Sequence, residues 1–390
     1  MTQGAVKPPN IIIASRVYRP EPVAAAYRNA TLASALADAG ASVTVLTSRA
    51  PKVFGDGAGG LDPRVRVHRL PVLRDREGAV RGYLPYLSYD IPLFFRLLFT
   101  RKLDLVVAEP PPTTGAAVRL ACCIRRLPYV YYAADILSDA AESIAPGVVV
   151  GAVRALERFA ISGAKLVIAV TDGVVSRVNE LGAKKVVLIR NGIDTSTFTL
   201  GGPRANLSQT AVYAGTVAEW LGTDIFIEAL PAVLERIPSA QIVFLGQGTA
   251  MDGLKQRAKE LGVADSVTFA GVVPPDEASR WLRSATVGLA SIKPGKYAIA
   301  FPTKILASLG SGTPVLYAGP ETNVGFVREN GLGAVVPFDV DAVADALIAA
   351  LSHEPTAEDR HRFADYIQRN ASSNATGNAG AKAVLSALGH

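Results

Sequence analysis

The chain has 390 residues, 49% hydrophobic and 19% charged, a balance that suits packed globular domains and excludes a disordered chain. That length exceeds one ordinary core and points to two domains. The net charge of +6 favours anionic partners, either nucleotide phosphates or a lipid headgroup surface. The bases are scattered without a long Lys/Arg tract, so no nucleic acid partner is expected.

Residues 10–15 form a short apolar run without helical periodicity, which predicts a buried first strand. The loop Arg16-Val17-Tyr18-Arg19-Pro20-Glu21-Pro22 follows, then a helix over 24–39 ended by Gly40, and a strand over 41–47. Strand, helix and strand in that order open a βαβ unit. Residues 64–70 alternate and suit an edge strand. Residues 83–100 are apolar and aromatic, broken by Asp90, Pro92 and Arg96 and closed by Arg101-Lys102. They read as a core helix, with a lipid-facing interfacial helix as the second reading. Further strands over 104–108, 129–133, 166–170 and 185–189 lead into Glu109, Asp135, Thr171-Asp172 and Arg190-Asn191. Cys122 and Cys123 are adjacent and read as two small buried hydrophobes; no disulfide framework or metal-ligand spacing exists. The first ten residues lack an apolar signal core and no run is long enough to span a membrane, so a cytoplasmic protein is expected.

Residues 200–208 read as a linker, after which the α/β rhythm restarts. The expected division is 1–199 and 200–370, with a last helix, 371–390, packing back on the first domain. In the second half, strands end at Gly215-Thr216, Gly246-Gln247-Gly248 and Gly271-Val272. Ligands of open parallel sheets lie outside the carboxyl ends of the strands, and glycines there let backbone approach a base or phosphate. A helix opening at Phe301-Pro302-Thr303-Lys304 sets free backbone N–H groups beside a lysine, which suits an anion. The turn Gly310-Ser311-Gly312-Thr313-Pro314 then stops the helix and feeds a strand over 315–317. Asp339-Val340-Asp341 reads as a helix cap and not as a metal-binding pair. His68, His353, His361 and His390 form no pair in the sequence. The first strand runs into Arg16 without Gly-x-Gly-x-x-Gly, which disfavours a nicotinamide oxidoreductase.

These pieces, in this order, resemble the retaining family 4 glycosyltransferases of the GT-B fold. The branch that acts on lipid-linked polysaccharide precursors is the most similar. The likeness is carried by Arg19-Pro20-Glu21-Pro22 with Arg28, Asp135-Ile136-Leu137-Ser138-Asp139, Glu157-Arg158-Phe159 and Arg190-Asn191-Gly192-Ile193-Asp194. It continues through Tyr213-Ala214-Gly215, Phe244-Leu245-Gly246-Gln247-Gly248, Val267 to Pro274 and Phe301-Pro302-Thr303-Lys304, and covers nearly the whole chain.

The resemblance implies two Rossmann-like α/β domains facing each other across a cleft, the second holding a nucleotide-sugar donor and the first the acceptor. It implies transfer of a sugar from a UDP-sugar, or secondly a dTDP-sugar, to a lipid-linked saccharide or small molecule. Configuration would be retained, with no metal and no cofactor, in the cytoplasm or peripherally at the inner membrane face. Donor contacts fall to Gly215, Thr216, Gly246, Gly248, Gly271, Val272, Pro302, Thr303, Lys304 and Ser308. Lys304 would stabilise the departing diphosphate. Arg28, Glu109 and Asp135 fall on the acceptor side, where Asp135 either orients the attacking hydroxyl or caps a helix. Members commonly carry two glutamates around the donor helix; here those positions are Ile299 and Ala307. Ser308 or Thr303 standing in, a deoxyribose donor, or loss of the donor would each account for this. A non-catalytic binding or scaffolding relative and a nucleotide-sugar epimerase stay as rivals.

Overall fold

The computed structural model describes residues 8–21, 23–51, 61–74, 80, 82–141, 146–295 and 300–389. Its described residues form two compact units: one runs to Asn191 and resumes at Thr376, the other spans Gly192–Ala375.

The first unit contains β1 (Asn10–Ala14), α1 (Ala24–Asp38), β2 (Ser42–Ser48), β3 (Arg66–Leu70), α2 (Tyr83–Phe99), β4 (Leu105–Ala108) and α3 (Pro112–Arg125). It continues with β5 (Tyr129–Ala133), α4 (Leu137–Ala141), α5 (Gly147–Ser162), β6 (Leu166–Ala169), α6 (Asp172–Glu180) and β7 (Val186–Leu188). Its seven strands lie parallel in the order β3-β2-β1-β4-β5-β6-β7. Strands β1, β4, β5 and β6 are almost wholly buried, β1, β4 and β6 rich in Ile, Val and Leu and β5 in Tyr, as sheets covered on both faces require. The alternating run settles at the edge as β3, as its pattern predicts. Strand order reverses between β1 and β4, which opens a crevice at their carboxyl ends.

Two readings change in this unit. Cys122 is buried, but Cys123 is exposed, because adjacent positions on α3 point to different faces. The aromatic helix α2 is a core helix on one face only. Tyr89, Leu93 and Leu97 are buried, whereas Leu84, Leu87, Ile91, Phe95 and Phe99 are exposed.

The second unit contains β8 (Thr210–Ala214), α7 (Asp224–Arg236), β9 (Gln241–Leu245), α8 (Met251–Glu260), β10 (Val267–Gly271), α9 (Pro275–Ser284) and β11 (Val287–Ser291). Then come α10 (Lys304–Gly310), β12 (Val315–Ala318), α11 (Gly325–Glu329), β13 (Gly333–Val336), α12 (Val340–Leu351) and α13 (Ala357–Asn370). Its six strands are parallel in the order β10-β9-β8-β11-β12-β13, with the reversal between β8 and β11. Asp339 caps α12 as read, its carboxylate accepting from the Ala342 N–H at 3.0 Å. The last helix, α14 (Ser373–Ser386), contributes Ala381 and Val384 to the core of the first unit, and Gly377 leaves just enough room for Thr31.

Candidate functional site

In the second unit the carboxyl ends of β8, β9 and β10 are tied together through their backbones. The Gly215 N–H donates to Leu245 at 2.8 Å, Gly246 to Gly271 at 2.7 Å, and Val217 to Gln247 at 3.0 Å. This accounts for two of the glycines. A Cβ at Gly246 would overlap the Gly215 carbonyl oxygen, and one at Gly248 would overlap that of Val217. Gly246→Ala also meets a φ of +141°, so the loops must separate. If a nucleotide binds against these loops, the variant should keep the fold of the unit yet lose at least about tenfold in nucleotide affinity, read by calorimetric titration. Unchanged affinity would remove the loops from the site.

Lys304 reaches this crevice from the first position of α10. Its Cε lies 3.5 Å from where a Cβ on Gly215 would stand, and its Nζ lies 4.7 Å from the centre of the Tyr213 ring. Among the described residues its ammonium forms no ion pair. Burial disfavours the charge and lowers its pKa to about 8. A desolvated cation over an aromatic face, without a carboxylate partner, is poised for an anionic ligand. Helix α10 has only seven residues and Thr303, its N-cap, offers no side-chain capping bond. The charge at this spot is therefore chiefly that of the lysine.

The remaining donor-side residues are less alike than the sequence suggested. Val272 and Thr303 are exposed, Gly271 has φ +72° with open space at its Cα, and Pro302 is buried. Thr216 is exposed, and its carbonyl accepts from the Tyr213 hydroxyl at 2.8 Å. Ser308 turns away from this group: its hydroxyl donates to the Lys304 carbonyl at 3.1 Å and its side chain packs on Gly288 of β11. Ala307 is buried in an apolar cluster with Val212, Val243, Leu245 and Leu282. Ile299 lies outside the described residues.

In the first unit a second constellation stands at the β1/β4 reversal. Arg28 of α1 holds Glu109 through Nε at 3.1 Å and Nη2 at 2.7 Å, and both side chains are nearly inaccessible. The Ser15 hydroxyl accepts from Asn29 at 3.0 Å and shares its one proton between the Val17 carbonyl at 2.9 Å and the other oxygen of Glu109 at 3.3 Å. The guanidinium also lies 5.0 Å from the Tyr132 ring centre and donates to Asn191 at 3.4 Å. Burial opposes the Arg28 charge, but Glu109, Tyr132 and Asp135 outweigh it and raise its pKa.

Asp135 follows β5 and is exposed. Although part of its surface stays open, the protein packed around the carboxyl strips enough hydration to raise its pKa, with Arg28 pulling it down and Glu109 pushing it up. The helix start beside it is capped from elsewhere: buried Glu157 accepts from the Leu137 N–H at 2.9 Å, the Ser138 N–H at 3.2 Å and the Ser138 hydroxyl at 2.6 Å. Asp135 is thus left without that duty. Tyr213, Ser15, Asn29 and Glu157 were not singled out from sequence as working residues. Only Tyr213 and Glu157 had a signal, their places in the Tyr213-Ala214-Gly215 and Glu157-Arg158-Phe159 matches. Among the described residues no group of three or more His, Cys, Asp or Glu is placed to hold a metal.

Two family models match the chain in series. Residues 24–192 match a glycosyl transferase 4-like domain and residues 208–353 match the glycosyl transferases group 1 domain. A phosphatidyl-myo-inositol mannosyltransferase of Mycobacterium leprae is 29% identical over 160 residues, which are 40% of this chain and 41% of that protein. A GDP-mannose-dependent alpha-(1-6)-phosphatidylinositol monomannoside mannosyltransferase of Mycobacterium tuberculosis is 33% identical over 138 residues, 33% of this chain and 35% of the relative. The aligned stretches thus span about two fifths or less of these relatives.

Among solved structures, sucrose-phosphate synthase of Thermosynechococcus elongatus superposes with a TM-score of 0.71 at 18% identity, covering 95% of this chain and 96% of the other. Anabaena HepE in complex with UDP and glucose gives 0.68 at 18% identity, covering 97% and 99%. At these identities the structural likeness speaks for the fold.

Proposed function

Since the chain belongs to the family 4-like glycosyltransferases of the GT-B fold, we propose that it moves a sugar from a nucleotide-sugar donor to a lipid-linked saccharide or related acceptor. The observation that carries this reading is Lys304: a desolvated cation over Tyr213, facing the glycine loops, with no ion pair among the described residues. The second unit takes the donor, with the diphosphate at Lys304 and the base near Gly271 and Val272. The first unit takes the acceptor, with Asp135 orienting the attacking hydroxyl.

The departing diphosphate is where negative charge grows in the transition state, and a positioned cation there lowers the barrier without a divalent ion. Configuration is retained, with attack and departure on one face of the sugar. Two relatives are named for mannosyl transfer to phosphatidylinositol species and HepE was solved with UDP and glucose, which supports both the donor class and a lipid acceptor. Such an acceptor sets the reaction at the cytoplasmic face of a membrane.

A thermal-shift panel of UDP-, dTDP- and GDP-sugars tests the reading. A matched donor at about a hundredfold its Kd adds roughly 2.7 kcal/mol, a rise of several degrees in the transition of the second unit. A flat response to all three, with no transfer to glycolipid or polyprenyl-linked acceptors, defeats it.

A further inference from the structure

The first unit holds a cation outside the Arg28–Glu109 constellation. Arg16 stands just past the carboxyl end of β1, at the β1/β4 reversal, and is only 8% exposed. Its guanidinium carbon lies 3.7 Å from the centre of the Tyr86 ring. Nε and Nη1 are sealed from solvent without a hydrogen-bond partner. Among the described residues Arg16 forms no ion pair. Burial lowers its pKa, and Asp90 opposes this through space. A buried guanidinium with two idle nitrogens is costly unless a further group meets them.

Asp90 connects this cation to the start of α3. It is the main charge acting on Arg16, and its Oδ1 accepts from the Thr114 hydroxyl at 2.6 Å. Helix α3 runs for 14 residues and has no side-chain cap. Among the described residues the Thr113 and Thr114 N–H groups have no acceptor, and the Thr113 hydroxyl is buried without a partner. The amino end of such a helix is partly positive, and the strand-to-helix turn beside a reversal is where parallel sheets take anions. Arg16 adds a full charge there. The second oxygen of Asp90 is idle too, which suits a ligand hydroxyl. Burial raises the Asp90 pKa and so lessens its repulsion of an oxyanion. Unspent guanidinium, N–H and hydroxyl donors beside one unspent carboxyl oxygen match a phosphate joined to a sugar.

We infer that Arg16 and the amino end of α3 bind a phosphate carried by the acceptor sugar itself. This rests on the acceptor role proposed for the first unit. Asp135 follows β5, two strands from β1 in the sheet, which sets it roughly 10 Å away at the usual spacing between strands. One sugar with its phosphate covers that separation, so phosphate and attacking hydroxyl belong to the same ring. The acceptor is then a glycosyl phosphate or diphosphate, and the neutral glycoside of the same sugar binds poorly.

The test is calorimetric titration of the full chain with the 1-phosphates of glucose, galactose, mannose and N-acetylglucosamine, and with the matching methyl glycosides. Saturable binding of at least one sugar phosphate is expected, and none of its methyl glycoside. Arg16→Met should lower that affinity by at least about tenfold and Thr113→Val by about fivefold. If Arg16→Met disturbs the fold, as judged by circular dichroism, Thr113→Val decides.

The inference is overturned if no sugar phosphate binds, if the methyl glycoside binds equally well, or if the deciding variant binds as the parent does. It is likewise overturned if Lys304→Met abolishes the binding and Arg16→Met keeps it, because the phosphate then sits in the donor unit. Binding that depends on Arg16, in a protein that transfers no sugar, supports this site and counts against the proposed function. The two readings thus fail separately.

Discussion

Replacing Lys304 by alanine is expected to lower kcat/KM for sugar transfer by about a hundred- to a thousandfold, the usual effect of deleting one group that stabilises developing negative charge. The loss should fall mainly on kcat, because a departing diphosphate carries more charge on the leaving oxygen than a bound donor does. Arginine at this position is not a neutral exchange, since its larger planar fork needs more room than the compact ammonium has between Tyr213 and Gly215. The same residue gives a pH dependence. With a pKa near 8 in the free protein, the cation is present below that value and lost as pH rises through it. Affinity for a nucleotide diphosphate should therefore fall above about pH 8, a limb that Lys304→Met lacks.

Stability moves in the opposite sense. The folded pKa lies below the unfolded value, so the unfolded chain holds the extra proton between about pH 8 and 10. Stability of the second unit thus rises with pH across that window, and below it the burial penalty is fully present. Lys304→Met should remove a penalty of roughly 2 kcal/mol at pH 7, allowing for the partly open face, and raise the melting temperature while activity collapses. A variant that loses activity and stability together would point to a packing role instead.

Glu109→Ala is expected to destabilise the first unit by about 3–5 kcal/mol, because it strands the Arg28 guanidinium in a site that solvent barely reaches. For a unit of this size that is on the order of a ten-degree fall in melting temperature, read by calorimetry. Arg28→Met should damage it similarly, by stranding the carboxylate beside Ser15. The double variant should recover part of the loss, since most of the penalty in each single change belongs to the partner left behind. Additive losses would mean that the two side chains act independently of their 2.7 Å contact.

Much of the architecture was legible because it rests on local patterns. Runs such as Leu105–Ala108 and Leu166–Ala169 are apolar on both faces, and the glycines that end β8, β9 and β10 fall where parallel strands turn toward helices. The reversals at β1/β4 and β8/β11 are not set by the βαβ rhythm, because right-handed crossovers fix the side on which each helix lies and not the order of the strands. The site was legible one residue at a time but not in its pairings. Nothing in the spacing of Arg28 and Glu109, or of Lys304 and Tyr213, shows that they meet. Ser308 follows Ala307 in sequence and so reads as a substitute for the carboxylate missing there. On a buried seven-residue helix, its hydroxyl is satisfied by its own backbone and its side chain fills the notch left by Gly288. Cys123 failed for the reverse reason, since an apolar run cannot say which of two adjacent helical residues faces out.

The return of helix α14 to the first unit has a bearing on how the chain is made. On the ribosome, the residues through Asn191 emerge with the whole sheet of that unit but without Ala381, Val384 and Ala387, which complete its core. The gap stays open while nearly two hundred further residues are synthesised, and the intervening unit is free to form first, all its strands being its own. The older part of the molecule is thus the last to be closed. Its exposed core face beside Thr31 and Leu32 must wait until α14 has been made.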